Sequence, residues 1–259
     1  MDHLLKEERQ QLILNALQEN NKVTVPELSQ QFHISEVTIR RDLAELASSG
    51  KLIRAHRGAL RIAAAPPEPP VVQRISLDRE LKESIARAAL PLVEDGDSIF
   101  LGSGSTMALF ARLLTCKKRL TVFTNALNIA EDLVTNTEDV TVVVTGGVVR
   151  AAELSLLGHI AELTLPEMRV NKIIMGVQAL SLENGWTSDQ MSEVSTTRRI
   201  LEMSTELIIL ADHTKLARSA AAFIAPLSRV KTLVTDEQAD PKLLAMFEAQ
   251  GVRVIVAGE

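Results

Sequence analysis

The stretch SEVTIRRDL, residues 35–43, sets two adjacent arginines on a segment with helical periodicity. At about 100° per residue, Ile39 and Leu43 fall on one stripe of a helix and Arg41 points away from it. The stretch therefore predicts an amphipathic helix, from 35 to about 49, that buries its apolar side and displays an arginine.

The residues before this helix complete a helix-turn-helix pattern. Residues 4–19 carry an apolar stripe at helical spacing. Pro26 suits the first turn of a short helix at 26–32, because its missing N–H would be unpaired there anyway. Two residues then make a turn, and Ser35 is a good N-cap for the third helix, since its hydroxyl can accept from a free backbone N–H.

Two short strand-like pieces follow, KLIRA at 51–55 and ALRI at 59–62. Together they predict a β-hairpin, and residues 50–62 contain no acid. The cations of this hairpin are Lys51, Arg54, Arg57 and Arg61. A basic hairpin after three helices predicts a winged helix-turn-helix domain, a fold that binds DNA.

The exposed face of the third helix has the residue types that read DNA. An arginine can fork to guanine, and a valine or a threonine methyl can meet a thymine methyl. The predicted DNA-contacting residues are Ser35, Val37, Thr38, Arg40, Arg41, Lys51, Arg54, His56 and Arg57. Arg41 is predicted to face the groove and Arg40 the backbone. The alternative, an ordinary surface helix with solvated arginines, explains neither the preceding helix nor the basic hairpin.

Charge is distributed unevenly along the 259 residues. The net charge is −5, yet residues 1–62 hold nine basic and eight acidic side chains, and the acidic excess lies in the rest of the chain. A local basic patch is expected where one small domain meets a polyanion. With 46% hydrophobic residues the chain can bury a sizeable core.

Several protein classes are disfavoured by composition. The charged start at 1–11 does not look like a secretory signal, and no apolar run approaches the roughly 20 residues that span a bilayer. Cys116 is the one cysteine, so no internal disulfide or multi-thiolate metal site is expected. We therefore expect a cytoplasmic protein without membrane contact, and the histidines show no metal-ligand spacing.

The rest of the chain predicts a separate domain. The proline-rich stretch AAAPPEPP at 63–70 is typical of an extended linker. Its functional role would be to set the reach between DNA-binding heads, and a plain spacer is an equally good interpretation. The predicted division is 1–62 for the winged domain, 63–75 for the linker and 76–259 for an α/β domain.

Apolar strands alternate with helices in this second domain, which predicts a mostly parallel sheet. Strands are predicted at 97–101, 119–124, 140–145, 172–177, 206–211, 230–235 and 252–257. Helices are predicted at 79–94, 105–115, 126–135, 190–203 and 240–250.

Small and polar residues follow several of these strands. Ligands of parallel sheets bind at the carboxyl ends of strands, where glycines admit close approach and free N–H groups attract anions. The candidate effector-binding residues are Gly102, Ser103, Gly104, Ser105, Thr106, Thr124, Asn125, Gly146, Gly147, Asp212 and Lys215. They predict a site for a small anion, although a tight strand-to-helix turn alone would also explain GSGST at 102–106. That loop lacks the third glycine of a dinucleotide fingerprint and the Gly-Lys of a P-loop, so no cofactor is predicted.

Recognisable motifs lie in both domains. The sequence resembles the DeoR family of bacterial sugar-metabolism regulators, with a C-terminal sensor domain similar to ribose-5-phosphate isomerase. The motifs are TIRRDL at 38–43, LIRAHRGA at 52–59, LGSGSTMALFARLL at 101–114, LTVFTNALNIA at 120–130, VTGGVVR at 144–150 and IILADHTK at 208–215. The resemblance implies a DNA-binding repressor of a carbohydrate operon, relieved by a phosphorylated sugar or related metabolite.

By position, the resemblance assigns the phosphate to 102–106 and makes Lys215 a charged contact. It places Thr124, Asn125 and the glycine pair beside the ligand. It also implies a homo-oligomer, dimer or tetramer, on double-stranded operator DNA.

The chain departs from the family pattern in places. The family often has acids after the strand at 172–177, where this chain has Gln-Ala-Leu-Ser at 178–181, and Arg57 replaces a usual glycine. The alternative function is a sugar-phosphate isomerase with an appended DNA-binding head, and its candidate bases are Asp189, Glu193 and Asp212. Isomerisation needs a positioned base. The lost acids weigh against it, so no catalytic residue is predicted.

Overall fold

The structure, a computed structural model, describes residues 6–20, 22–48, 52–55, 58–60 and 69–258. The chain divides into two compact units, residues 1–68 and 69–259. This division falls inside the predicted linker, whose exact limits remain a prediction. No helix in the described ranges is long and apolar enough to cross a membrane.

The first unit contains three helices and a small antiparallel sheet. Its elements are α1 Lys6–Asn20, β1 Lys22–Thr24, α2 Val25–Phe32, α3 Glu36–Ser48, β2 Ile53–Ala55 and β3 Gly58–Leu60. The strands are ordered β1-β3-β2. The helices and the hairpin agree with the sequence prediction. The strand β1 was missed, because three residues between two helices carry too short a pattern to distinguish a strand from a loop.

Side-chain caps fix where the helices of the first unit begin. The Thr24 hydroxyl accepts from the Glu27 N–H, and the Glu27 carboxylate accepts from the Thr24 N–H, which is a capping box. The Ser35 hydroxyl accepts from the Thr38 N–H at 3.3 Å, as predicted for an N-cap. Gly50 follows the predicted end of the third helix, a position typical of a C-cap, and it lies outside the described residues. The core includes Ile13, Leu17, Leu28, Ile39, Leu43 and Leu46.

The second unit is an α/β domain. Its elements are α4 Val71–Arg74, α5 Arg79–Ala89, β4 Ser98–Leu101, α6 Ser105–Leu113, β5 Leu120–Thr124, α7 Leu127–Asn136, β6 Val140–Val144, β7 Val148–Arg150, β8 Ser155–Leu157, α8 His159–Thr164, β9 Lys172–Met175, β10 Ala179–Ser181, β11 Gly185–Ser188, α9 Val194–Leu201, β12 Leu207–Leu210, β13 Ala222–Ala225, β14 Thr232–Asp236, α10 Pro241–Ala249 and β15 Arg253–Ala257.

Seven strands form a parallel sheet in the order β15-β14-β12-β9-β4-β5-β6. From β4 the chain continues outward through β5 and β6. From β9 it continues in the opposite direction through β12, β14 and β15. The helices α5, α6 and α7 pack on one face, and α9 and α10 pack on the other. The predicted mostly parallel α/β fold is confirmed.

Several short elements after β6 were not predicted. The strands β7 and β8 form an antiparallel hairpin, and β10, β11 and β13 form a second small sheet. The helix predicted at 79–94 ends at Ala89 and continues as one 3₁₀ turn, and the helix predicted at 190–203 begins at Val194 after another. Such 3₁₀ turns are common at helix ends, and sequence periodicity does not separate them from the helix.

Candidate functional site

The third helix displays the predicted recognition face. The side chains of Val37 and Arg41 are 77% and 82% exposed, whereas Ile39 and Leu43 are fully buried. Arg40 is half-exposed and forms an ion pair with Glu36 at 3.1 Å. The outward orientation of Arg41 is therefore as the periodicity predicted. Contact of this face with DNA remains a prediction.

The wing is only partly described. Arg54 lies in β2, which pairs with β3, and Lys51, His56 and Arg57 lie outside the described residues. Their predicted contacts with DNA stay predictions.

A second candidate site lies where the sheet changes its direction of winding. The strands β4 and β9 are hydrogen-bonded neighbours, and the chain leaves them toward opposite edges of the sheet. In a parallel sheet such a point leaves a crevice outside the carboxyl ends of the strands, which is where ligands bind. The loop at 102–106 follows β4 and therefore lies at this crevice.

The loop at 102–106 ends in a helix that no side chain caps. The Gly102 N–H donates to Ile174 of β9 at 3.0 Å, and α6 begins at Ser105. Gly104 holds the N-cap position with φ 126°, a conformation that side chains rarely adopt. The first-turn N–H groups and the positive end of the helix dipole are thus left to attract an anion.

A buried lysine adds charge at the same edge of the sheet. Lys82 of α5 is 7% exposed, and α5 packs against α6 and contacts β12. Burial lowers the pKa of Lys82. The charges of Asp78 and Asp212 act on that pKa in the opposite direction.

Sequence reasoning missed Lys82, although a signal was present. Lys82 shares its helical stripe with Ile85, Ala86 and Ala89, and all four are buried. A lysine at an apolar-stripe position is seldom fully solvated, so it is a candidate for a special role.

The loop after β12 supplies a second lysine. Asp212 caps the short turn at His213–Lys215, because its Oδ1 accepts from the Thr214 N–H at 3.0 Å. Lys215 is partly exposed, and it contributes to the pKa of Lys82 by lowering it. In this structure Asp212 therefore shapes the loop, and Lys215 and Lys82 are the two candidate cations for this end of the sheet.

Two predicted effector residues are covered in this structure. The Thr124 hydroxyl is fully buried and donates to Leu101 at 2.7 Å. Asn125 is 4% exposed, and its backbone carbonyl oxygen accepts from the Leu156 N–H at 2.7 Å. The β7–β8 hairpin and its flanks, residues 146–158 and here called the arm, therefore lie over the end of β5.

The glycine pair starts this arm. Gly147 has φ 119°, and a Cβ placed on it would lie 2.6 Å from the carbonyl oxygen of Leu157. Gly146 has φ 72° with ordinary contact distances to Ile160. The backbone turn and the return of β8 thus explain Gly147 without any ligand, and a ligand contact of either glycine remains a prediction.

Two of the three candidate bases of the isomerase alternative, Glu193 and Asp212, are held in other interactions. Glu193 forms an ion pair with Arg150, with 2.5 Å between Oε1 and Nη1. Gln178, where the family often has an acid, accepts from the Ser188 hydroxyl at 3.0 Å and from the Asp189 N–H at 2.9 Å. Within the described ranges, no group of three or more His, Cys, Asp or Glu residues could hold a metal ion.

Comparison with known structures adds a likeness in fold. The chain superposes on a D-ribose-5-phosphate isomerase in complex with phospho-erythronic acid with a TM-score of 0.40 and 18% identity, over 54% of each chain. So partial a superposition carries no argument about function.

Sequence relatives and family descriptions match nearly the whole chain. A protein of Escherichia coli O157:H7, provisionally named the aga operon transcriptional repressor, is 33% identical over 97% of this chain and 94% of its own length. The HTH-type transcriptional regulator GolR of Listeria innocua is 32% identical over 96% and 98%. These names confirm the prediction of a regulator rather than an enzyme. The description "DeoR-like helix-turn-helix domain" matches residues 9–64 and "DeoR C terminal sensor domain" matches residues 78–237, so the chain belongs to the DeoR family of transcriptional regulators.

Proposed function

We propose that this chain represses a carbohydrate operon and leaves its operator when a phosphorylated sugar or related anion binds the second unit. The observation that carries the proposal is the crevice between β4 and β9. The proposed site combines the uncapped start of α6 with two cations, Lys82 of α5 and Lys215 of the loop after β12. Free backbone N–H groups and cationic side chains both donate hydrogen bonds to a phosphate, and together they stabilise its negative charge.

The first unit is proposed to read the operator through α3. Arg41 and Val37 present a fork and an apolar surface to base edges, and Thr38 stands beside them at the N-terminal turn. Arg40 and the wing cations Lys51, Arg54 and Arg57 hold phosphates. Such contacts position the protein without carrying sequence information.

The second unit is proposed to hold the effector at 102–106 and Lys215. Lys82 joins this set because it is a buried cation of α5, the helix that packs against α6. Asn125, the glycine pair and Asp212 complete the proposed surroundings of the ligand, and Asn125 would have to be uncovered by the arm.

The regulator is proposed to act as a homo-oligomer in the cytoplasm. A helix-turn-helix protein binds two half-sites about one DNA turn apart when it is a dimer, and the proline-rich linker then sets the distance between the two heads. The division into 1–62, 63–75 and 76–259 belongs to this proposal.

The test is fluorescence anisotropy of DNA from upstream of this protein's own gene, with and without a panel of sugar phosphates. We expect tight, sequence-dependent binding that one compound releases. Release requires that the compound bind the two states with different affinity, commonly about 5–150-fold. Tight binding that no compound affects would remove the effector half. Absence of any sequence preference would remove the DNA half.

A further inference from the structure

The first residues of the second unit overlap the predicted linker and pack against the arm. Residues 69–78, here called the strap, belong to this unit. The Val71 N–H donates to Ala152 in the arm at 2.7 Å, and Val71 is fully buried. Arg74 forms an ion pair with Glu153, whose side chain is 8% exposed. The strap is therefore docked on the turn of the arm.

Lys82 holds the other end of the strap. Its ammonium donates to the carbonyl oxygen of Arg74 at 2.7 Å and also to that of Leu77. The same ammonium is one of the two positive charges proposed for the effector site. One group thus belongs to both the effector site and the segment that leads to the linker.

The arm connects the strap with the end of β5. The Leu127 N–H donates to the backbone carbonyl oxygen of Leu154 in the arm at 2.9 Å. The Leu156 N–H donates to the backbone carbonyl oxygen of Asn125 at 2.7 Å. Among the described residues, four of the five buried side-chain atoms without a hydrogen-bond partner lie at or beside this contact. They are Asn125 Oδ1, Asn128 Oδ1, Glu153 Oε2 and Ser155 Oγ. An unpaired buried acceptor weakens a contact, so the docked arrangement is closer in free energy to an opened one than a fully paired contact would be.

We infer that the strap is the element through which the effector site controls the linker: an anion at 102–106 draws the Lys82 ammonium from the carbonyl groups of Arg74 and Leu77, and the strap detaches. This inference rests on the proposed anion site. An anion is a stronger acceptor for an ammonium than a neutral carbonyl, so the two compete for one donor. The helix α4 of the strap also contacts α6, which begins within the loop at 102–106. An anion bound at this loop would therefore act close to the strap.

Detachment has a direct consequence for DNA binding. With the strap docked, the linker starts from a fixed point on the second unit. With the strap released, about ten more residues become flexible, and the distance between two DNA-binding heads is no longer set. The docked state is therefore the operator-binding state, and the anion shifts the population away from it.

Hydrogen exchange of the full chain tests this inference, with saturating inorganic phosphate as the probe. Phosphate should slow exchange at 102–108 and should speed exchange at 71–78 by about fivefold or more. Slower exchange at 102–108 with unchanged or slower exchange in the strap would overturn the inference and leave the anion site standing. Unchanged exchange at 102–108 would overturn the anion site and the inference together.

A variant separates the strap from the anion site. Glu153→Gln removes the charge that holds Arg74 and keeps the shape of the side chain. We expect exchange at 71–78 to be about fivefold faster than in wild type already without phosphate, whereas phosphate still slows 102–108. The control is Glu83→Gln, the same change in an ion pair of α5 with Arg79. Equal strap exchange in the two variants would overturn the role of Glu153.

Discussion

Arg9 of α1 forms a two-pronged ion pair with Asp42 of α3, and Asp42 is almost fully buried. The hydrogen bond to Asp42 raises the pKa of Arg9. The acid of the TIRRDL motif therefore points into the domain while the preceding arginine, Arg41, points out. Of these two neighbouring residues, Asp42 thus stabilises the domain, and Arg41 faces solvent, where it is proposed to contact DNA.

Removing Asp42 should destabilise the first unit more than removing an exposed acid of the same helix. We expect Asp42→Ala to lower the free energy of unfolding by about 3 kcal/mol, since it removes the buried carboxylate that pairs with Arg9. Glu36→Ala breaks the half-exposed pair with Arg40 and should cost less than about 1 kcal/mol. Urea dependence of hydrogen exchange in α1 and α3 measures both. Equal losses for the two variants would contradict the structural role of the Arg9–Asp42 pair.

Arg41 and Lys51 are expected to affect DNA binding in different ways. Arg41→Ala should weaken operator binding by about 1–3 kcal/mol and leave unrelated DNA nearly unaffected, because a base-edge contact carries sequence information. Lys51→Ala should weaken binding to all DNA alike and reduce the salt slope by about one. Anisotropy titrations over a series of salt concentrations distinguish the two. A uniform loss for both variants would contradict this division between base and phosphate contacts.

Much of the architecture was predictable because its patterns are long. Helical periodicity over 35–49 placed Ile39 inside and Arg41 outside, and apolar runs bounded by helices predicted all seven strands of the central sheet. Three-residue strands such as β1 and β7 have no period to detect, and their pairing partners lie far along the chain or are set by tertiary packing.

The candidate site was predictable in position but not in detail. The carboxyl ends of parallel strands identify the edge of the sheet from sequence alone. The covering of Asn125 by the arm is a contact between segments far apart in the chain, which no local pattern contains. The hydrogen bonds of Lys82 to the strap are local, but they join a side chain to backbone carbonyl groups, which hydrophobic periodicity does not report. Gly147 has two possible explanations at the level of sequence, because a tight backbone turn and the close approach of a ligand would both require glycine.

The two glycines of the arm provide a test of that ambiguity. Gly147→Ala should cost about 3 kcal/mol, because it adds a clash with Leu157 to an unfavourable φ. Gly146→Ala should cost about 1 kcal/mol, since only the φ is unfavourable. Urea unfolding followed by the fluorescence of Trp186, the one tryptophan of the chain and buried in this unit, measures both. Equal small losses would mean that the arm can move and that Gly147 is not fixed by packing.

As the pH rises, anion binding should begin to weaken at a lower pH than it would if Lys82 had the pKa of an ordinary lysine. Burial lowers the pKa of Lys82, with Arg74 and Lys215 adding to the effect and Asp78 and Asp212 opposing it. As the pH rises through this lowered pKa, Lys82 loses its charge and its attraction for an anion. Sulfate is the suitable probe, because its own charge is constant in this range. Calorimetric titration of the full chain between neutral pH and the ordinary lysine pKa of 10.5 measures the decline.

The control for this pH dependence is Lys82→Arg. A guanidinium stays charged throughout this pH range, so the variant should retain its affinity for sulfate where the wild type loses it. Lys215→Arg should leave the early part of the decline in place, because Lys82 would still titrate there. If Lys82→Arg follows the same pH curve as wild type, the group that titrates is another one. Lys82 would then hold the strap without meeting the anion, and the link between effector site and linker would have to run through the arm.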